Sequence, residues 1–313
     1  MRSLTRAETA DYFLSRNGFA IVTHRRPDGD TLGSAAALCL GLRSMGKTAH
    51  ILYNPEVTQK YVHLLEGLSK AAPDPEDTLV CVDVAASQLL PEICTGSRIA
   101  LRIDHHRSRE DFTELALVDP EAAACGQIIY DVLTHMGVSL DVSMANALYT
   151  AISTDTGCFR YANTQSHTFE VAAACAAVSA DLPELNRVLF ETNSLKRLKL
   201  QGWIVEHIQF LCQGQIAICA IPLAAEREME LTEDDMENIS GFPRSIEGVK
   251  IAATLRQQED GIVKVSVRAL PGYDASAICA KFGGGGHKGA AGASLEMTME
   301  EAVKAVMEAM PKL

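Results

Sequence analysis

GFAIVTHRRPDGDTLGSAAALCLGLRSM, residues 18–45, is the stretch that decides the fold. A run rich in β-formers (18–23) ends at His24 and a Pro-Asp-Gly turn, and 31–45 then predicts a helix with Asp30 near its N-terminus. Working outward, 49–52, 78–83 (TLVCVD) and 99–104 (IALRID) predict three further strands. Apolar runs of this kind with helices between them indicate an α/β fold, a mostly parallel sheet with helices on both faces.

Beyond Ala122 the pattern turns helical, with helices expected over 125–136, 142–153, 166–178, 182–190 and 194–211. Strands at 215–221, 250–256 and 263–268 follow, the last two joined by the hairpin turn Glu259-Asp260-Gly261. A short helix over 274–281, four glycines from Gly283 to Gly286, and a final helix over 299–310 complete the chain. At 313 residues two domains are expected. The reading is a catalytic domain over 1–189, a helical linker over 190–212 and a smaller α/β domain over 213–313.

In an α/β sheet, ligands gather beyond the C-terminal ends of the strands. His24, Asp28 and Asp30 follow the first expected strand, Asp83 ends the third, and Asp104-His105-His106 ends the fourth. Asp155 lies in STDTG at the end of the helix that begins at Val142. Taken singly, each has a plain structural explanation: Asp28 as a turn former, Asp30 as an N-cap, Asp155 as a turn cap. Asp83 after LVCV is harder to explain that way, because an unpaired buried carboxylate is costly. Carboxylates and imidazoles without thiolates suit two divalent cations of hard or borderline character. Two such ions about 3.5–4 Å apart, bridged by a carboxylate, ionise water and neutralise phosphoryl oxygens. The chemistry this implies is hydrolysis of a phosphate ester or anhydride.

The net charge of −12 and pI of about 5.2 argue against a partner that is a long nucleic acid, since phosphate contacts dominate such binding. An anionic substrate should therefore be small, held by metal and by local positive charge at Arg25, Arg26, Arg107, Arg109, Arg160, Arg268 and Lys288. The nine cysteines form no CxxC pair, which fits free thiols in a reducing compartment. The N-terminal residues carry no signal-peptide pattern and no stretch is long enough for a membrane helix, so a cytoplasmic protein away from membranes is expected.

The segments HRRPDGD, the VD of CVDVA, IDHH and STDTG, in that order, resemble the four motifs of the DHH phosphoesterase superfamily. FGGGGHKGAAG (282–292) resembles the glycine-rich signature of its partner DHHA1 domain. The compact layout is similar to the bacterial nanoRNase and pAp-phosphatase group. That resemblance implies two divalent ions, manganese being expected. His24, Asp28 and Asp83 would hold one ion. Asp30, His105, Asp155 and the shared Asp83 would hold the other. It implies that Asp104 orients a histidine and that His106 faces the scissile phosphate, which with Asp83 makes the catalytic set. It further implies that Arg268, Gly284, Gly285, Gly286 and His287 bind substrate, and that the protein is a homodimer. The substrates expected are nanoRNA of roughly two to five nucleotides, pApA or pAp, a range set by the absence of a basic track. Three rival readings share these residues: a cyclic-dinucleotide phosphodiesterase, a pyrophosphatase or polyphosphatase, and a nucleotide-binding module without turnover.

Overall fold

The computed structural model describes residues 1–94, 96–106, 110–178 and 181–313. They divide into two compact units, Met1–Thr192 and Asn193–Leu313. The first unit carries strands β1 (Arg2–Ser3), β2 (Phe19–Val22), β3 (Ala49–Leu52), β4 (Ser69–Lys70), β5 (Thr78–Val82), β6 (Leu101–Asp104) and β7 (Leu115–Val118). Its helices are α1 (Arg6–Leu14), α2 (Gly29–Ser44), α3 (Cys125–His135), α4 (Val142–Asp155), α5 (Ser166–Val178) and α6 (Leu182–Asn186). The strands form one parallel sheet in the order β1-β7-β6-β5-β2-β3-β4. The chain steps from β2 to β3 in one direction and returns on the other side of β2 at β5. That reversal makes the gap between β2 and β5 the topological switch point, where α/β sheets form their crevice.

The period-2 alternation of the strands sorts side chains onto two faces. Phe19, Ile21, Val80, Val82, Leu101 and Ile103 pack beneath α1 to α4 in the main core. Each such fully buried side chain stabilises the fold by about 1.5–3 kcal/mol. Ala20, Val22, Cys81 and Leu52 face the other way, onto Val84, Cys94 and Ile99 of a segment built from short 3-10 turns. The second layer is thus made of short turns, whereas the first is made of long helices. The helix expected over 31–45 begins at Gly29, because Asp28 rather than Asp30 is its N-cap. The Asp28 carboxylate accepts from the N–H groups of Asp30 and Thr31, each at 3.1 Å. Strands β1, β4 and β7 were not expected: two are only two residues long, and LALV offers four residues without alternation.

One glycine sets the helix layer. A Cβ on Gly33 would lie 2.3 Å from the Ala147 carbonyl oxygen, so α2 and α4 approach as closely as they do only because that side chain is missing.

The second unit contains α7 (Leu195–His207), β8 (Gln209–Leu211), β9 (Ile216–Ile221), α8 (Leu223–Glu228), α9 (Glu233–Met236), β10 (Ile251–Gln257), β11 (Val263–Ala269), α10 (Ala275–Ala280), β12 (Gly285–Gly286), β13 (Ala290–Leu295) and α11 (Met299–Ala309). Its sheet runs β12-β13-β11-β10-β9-β8, with β9 and β10 parallel and the other pairs antiparallel. Ile218, Leu255, Val265 and Val267 pack against Val306 and Ala302 of α11. The stretch expected as a linker, 190–212, is divided by packing. Leu200 and Ile204 of α7 are fully buried against Cys219 and Ile221, which makes that helix part of the second unit. No helix among the described residues is long and apolar enough to cross a membrane.

Candidate active site

Three adjacent strands, β6, β5 and β2, deliver Asp104-His105-His106, Asp83 and His24 to one end of the sheet. The α2 N-terminus adds Asp28 and Asp30, and the close α2–α4 contact adds Asp155, the last residue of α4. Ligand-type atoms of His24, Asp28 and Asp83 lie within 4.8 Å of one another, as do those of Asp30, His105 and Asp155. A third overlapping group joins Asp83, His105 and His106. His105 Nε2 is 3.6 Å from Asp30 Oδ2, 3.5 Å from Asp83 Oδ1 and 3.7 Å from Asp155 Oδ2. His24 Nε2 is 3.7 Å from Asp28 Oδ1 and 3.8 Å from Asp83 Oδ2. These separations exceed an N–H···O hydrogen bond, about 2.7–3.2 Å, and match the spacing of atoms that share a cation.

Each imidazole is set by its other nitrogen. Paired to the carbonyl of Arg25 at 2.7 Å, His24 Nδ1 takes the proton, which leaves the Nε2 lone pair facing the carboxylates. His105 Nδ1 is likewise 3.3 Å from the Ala122 carbonyl. His106 differs, since its Nδ1 is 2.8 Å from Asp104 Oδ1. Asp104 also accepts from the backbone N–H groups of both histidines, at 2.8 and 3.1 Å. The histidine that Asp104 orients is therefore His106. Asp104 is in turn fully buried 3.8 Å from the equally buried Arg102.

Electrostatics make the cluster unstable by itself. Burial, then the charges of Asp30, Asp28, Asp104 and Asp155, push the Asp83 carboxyl well above the ordinary carboxylate range. Asp155 is pushed well up by burial and by Asp30 and Asp28, and Asp30 is also raised, chiefly by burial. Asp83 Oδ1 is buried without a hydrogen-bond partner, and the residue holds φ at +58°. An orphaned buried oxygen and a non-glycine left-handed backbone both mark a position retained at energetic cost. Divalent cations fit this donor set: they supply the missing partner of Asp83 and cancel the like-charge repulsion.

Several supporting residues carried no signal in the sequence. Asp30 accepts from the N–H groups of Cys125 (2.7 Å) and Gly126 (2.9 Å) at the α3 N-terminus, and from the Ser34 hydroxyl (3.1 Å). Asn163 donates to the Asp155 carbonyl at 3.2 Å and to its carboxylate at 3.4 Å. Among the arginines expected to supply positive charge, Arg25 and Arg26 point to Glu56, and Arg160 Nε donates to the Gly157 carbonyl. Arg107 and Arg109 lie outside the described residues.

In the second unit, Arg268 is half-buried on the face of β11 opposite the core, and register pairs it with Ala290. Ala290 closes a tight hairpin with His287, whose N–H donates to the Ala290 carbonyl at 2.8 Å, so Arg268 and the exposed His287 belong to neighbouring segments. Gly285 and Gly286 form β12. A Cβ on Gly284 would lie 2.2 Å from the Gly292 carbonyl oxygen, so packing against β13 alone already requires glycine there.

Residues 18–152 match the model of the DHH family, N-terminal domain, and residues 214–312 that of the DHHA1 domain. Over 293 residues the chain is 34% identical to the bifunctional oligoribonuclease and PAP phosphatase NrnA of Thermus thermophilus, covering 92% of this chain and 88% of that protein. Two solved structures share the fold. An exopolyphosphatase-related protein from Bacteroides fragilis superimposes with a TM-score of 0.83 at 24% identity, over 97% of this chain and 95% of that one. RecJ from Thermus thermophilus, in complex with Mn2+, does so with a TM-score of 0.55 at 15% identity, over 97% and 53%.

Proposed function

We propose, from the premise that this chain belongs to the DHH/DHHA1 family of phosphoester hydrolases, that it cleaves short oligoribonucleotides and removes the phosphate of PAP with the help of two divalent ions. The observation that carries this reading is the meeting of four carboxylates and two imidazoles at the sheet's switch point, around a buried Asp83 oxygen that has no protein partner. His24, Asp28 and Asp83 would hold one ion, and Asp30, His105, Asp155 and Asp83 the other. An oxygen-and-nitrogen donor set without sulfur suits divalent ions of hard or borderline character, and manganese, the ion the family resemblance implies, is the one proposed. Divalent ions so held supply Lewis acidity, which lowers the pKa of water and neutralises phosphoryl oxygens.

The chain's own side chains do the remainder. Asp104 fixes His106 through Nδ1, so Nε2 is the atom free to donate a hydrogen bond or a proton to the phosphate or its leaving oxygen. Ser34 and the α3 N–H groups hold Asp30 in one orientation, and Asn163 does the same for Asp155. Arg268, the loop Gly284–Gly286 and His287 bind the part of the nucleotide that is not cleaved, a role supported by their adjacency across β11 and β13. The excess of 40 acidic over 28 basic residues disfavours a long polyanion, so the substrates are small. Nine free cysteines suit a reducing cytoplasm. A homodimer completes the reading, and light scattering at the monomer mass of 33.7 kDa would remove that part.

The test is hydrolysis of bis-p-nitrophenyl phosphate with manganese and then with EDTA, followed by a panel of pAp, pApA, cyclic di-AMP, a five-nucleotide RNA and pyrophosphate. Manganese-dependent cleavage of pAp and of the short RNAs is expected. Turnover of pyrophosphate alone overturns the nucleotide reading, and no turnover at all favours a binding module.

A further inference from the structure

A second group of ligand-type side chains lies in the first unit on the strand-start side of the sheet. His50 is in β3, opposite Ala20 of β2. Asp77 directly precedes β5, level with Gly18, whose carbonyl accepts from the Thr78 N–H at 2.9 Å. Alternation puts His50, Asp77, Gly18 and Ala20 on one face, the face of Leu52 and Val22. Gly18 and Ala20 are the two smallest side chains available for the intervening strand, and over them His50 and Asp77 reach each other. A Cβ on Gly18 would stand only 3.2 Å from Asp77 Oδ1. Asp74 comes from the connection after β4, and its ligand-type atom lies within 4.8 Å of those of His50 and Asp77.

We propose that His50, Asp74 and Asp77 form a further metal site, separate from the catalytic set, that takes a zinc-class divalent cation and pins the β4–β5 connection to the sheet. His50 is 5% exposed, and its Nε2 is buried with no hydrogen-bond partner. That nitrogen stands 3.4 Å from Asp77 Oδ2, whose side chain is itself 3% exposed. The pair is too long for a good hydrogen bond, yet two ligands at about 2.0–2.1 Å from a tetrahedral ion are separated by roughly 3.3 Å. Burial also pushes the His50 pKa down, against the pull of Asp77, which favours the uncharged imidazole that metal ligation requires. A local turn presents both carboxylates: the Asp74 N–H donates to Asp77 Oδ2 at 2.7 Å, and the Asp77 N–H donates to the Asp74 carbonyl at 3.0 Å. The cations already nearby are Lys70, paired with Asp74, and Arg43, which donates to the Ala49 and Gly67 carbonyls. The Lys70–Asp74 pair is about half exposed on both sides, a weak contact that a divalent ion can displace.

The test uses Zn2+ on the full chain, stripped with chelator, in an Asp83→Asn parent so that the catalytic donors are constant. Bound zinc is counted after gel filtration, and Co2+ absorption reports the ligand set. Asp74→Asn, at an exposed position, and His50→Gln are each expected to remove about one equivalent of zinc or to weaken its binding more than tenfold. Lys70→Met is expected to tighten binding several-fold. If His50→Gln does not fold by circular dichroism, Asp74→Asn decides alone. Unchanged zinc stoichiometry and affinity in Asp74→Asn overturns the proposal.

Discussion

Replacing Asp83 by Asn should make the metal-free protein more stable while ending its dependence on metal. Asp83 is 3% exposed and has a carboxylate of Asp28 within 4.8 Å, with Asp30 and Asp155 adding like charge. At that separation two full charges repel by about 3–4 kcal/mol at an effective dielectric near 20. Solvent at the half-exposed Asp28 and partial protonation reduce this, so a gain of about 1–2 kcal/mol is expected for the variant in EDTA. At roughly 2–4 °C per kcal/mol this raises Tm by about 2–8 °C at neutral pH. The sign with pH follows from linkage. A carboxyl whose pKa is higher folded than unfolded favours the fold below its unfolded pKa of about 3.9, and that support is lost as pH rises through the folded value. The Tm advantage of Asp83→Asn should therefore shrink towards pH 4 and grow above it. Manganese should raise the Tm of the wild type and leave the variant nearly unmoved. Turnover should fall more than about a hundredfold, since loss of a mere supporting partner of a ligand costs 10–100-fold. Thermal melts with EDTA and with MnCl2, from pH 4 to 8, supply the readout. A variant less stable than wild type in EDTA at pH 7, or stabilised by manganese as much as wild type, would refute the reasoning.

Three further outcomes are expected. His106→Ala should lower kcat by about 10²–10⁴-fold. Because Asp104 rather than a cation engages His106 Nδ1, manganese content by elemental analysis should stay unchanged, and its loss would make His106 a ligand. Arg268→Ala should raise KM for nucleotides about tenfold or more, as expected for a lost charge-assisted phosphate contact, with bis-p-nitrophenyl phosphate much less affected. An unchanged KM removes Arg268 from the site. Gly33→Ala should destabilise by about 1–3 kcal/mol and weaken manganese binding, because a Cβ 2.3 Å from the Ala147 carbonyl oxygen forces α2 and α4 apart. A variant with wild-type Tm and metal affinity would show that the helices yield there without consequence.

Much of the molecule was legible because its signals are local. Short, mostly apolar runs such as 49–52 read as buried parallel strands, and β3 has those very bounds. The PDG turn marked the β2–α2 junction, and the recurrence of acids and imidazoles after strands singled out His24, Asp83 and His105. Capping was less legible, since Asp28 and Asp30 are both suitable residue types and only backbone direction selects Asp28 as the cap. Helix α7 was expected in a linker because its own pattern says nothing of Cys219 and Ile221, against which Leu200 and Ile204 pack.

By itself the sequence determined the central strands and the longer helices, the α/β class and the set of acids and imidazoles, since periodicity, turn chemistry and residue type are properties of neighbours along the chain. Only the tertiary structure decided which of them meet. Strand order put β6, β5 and β2 side by side, and a missing side chain at Gly33 let α4 bring Asp155 to Asp30. It also decided that Asp104 serves His106, that Asp30 sits on the N–H groups of α3, and that His50 faces Asp77 across Gly18 and Ala20. The physical reason is range: local preferences act over a few residues, whereas burial, repulsion between carboxylates and the fit of one helix on another arise between segments tens of residues apart.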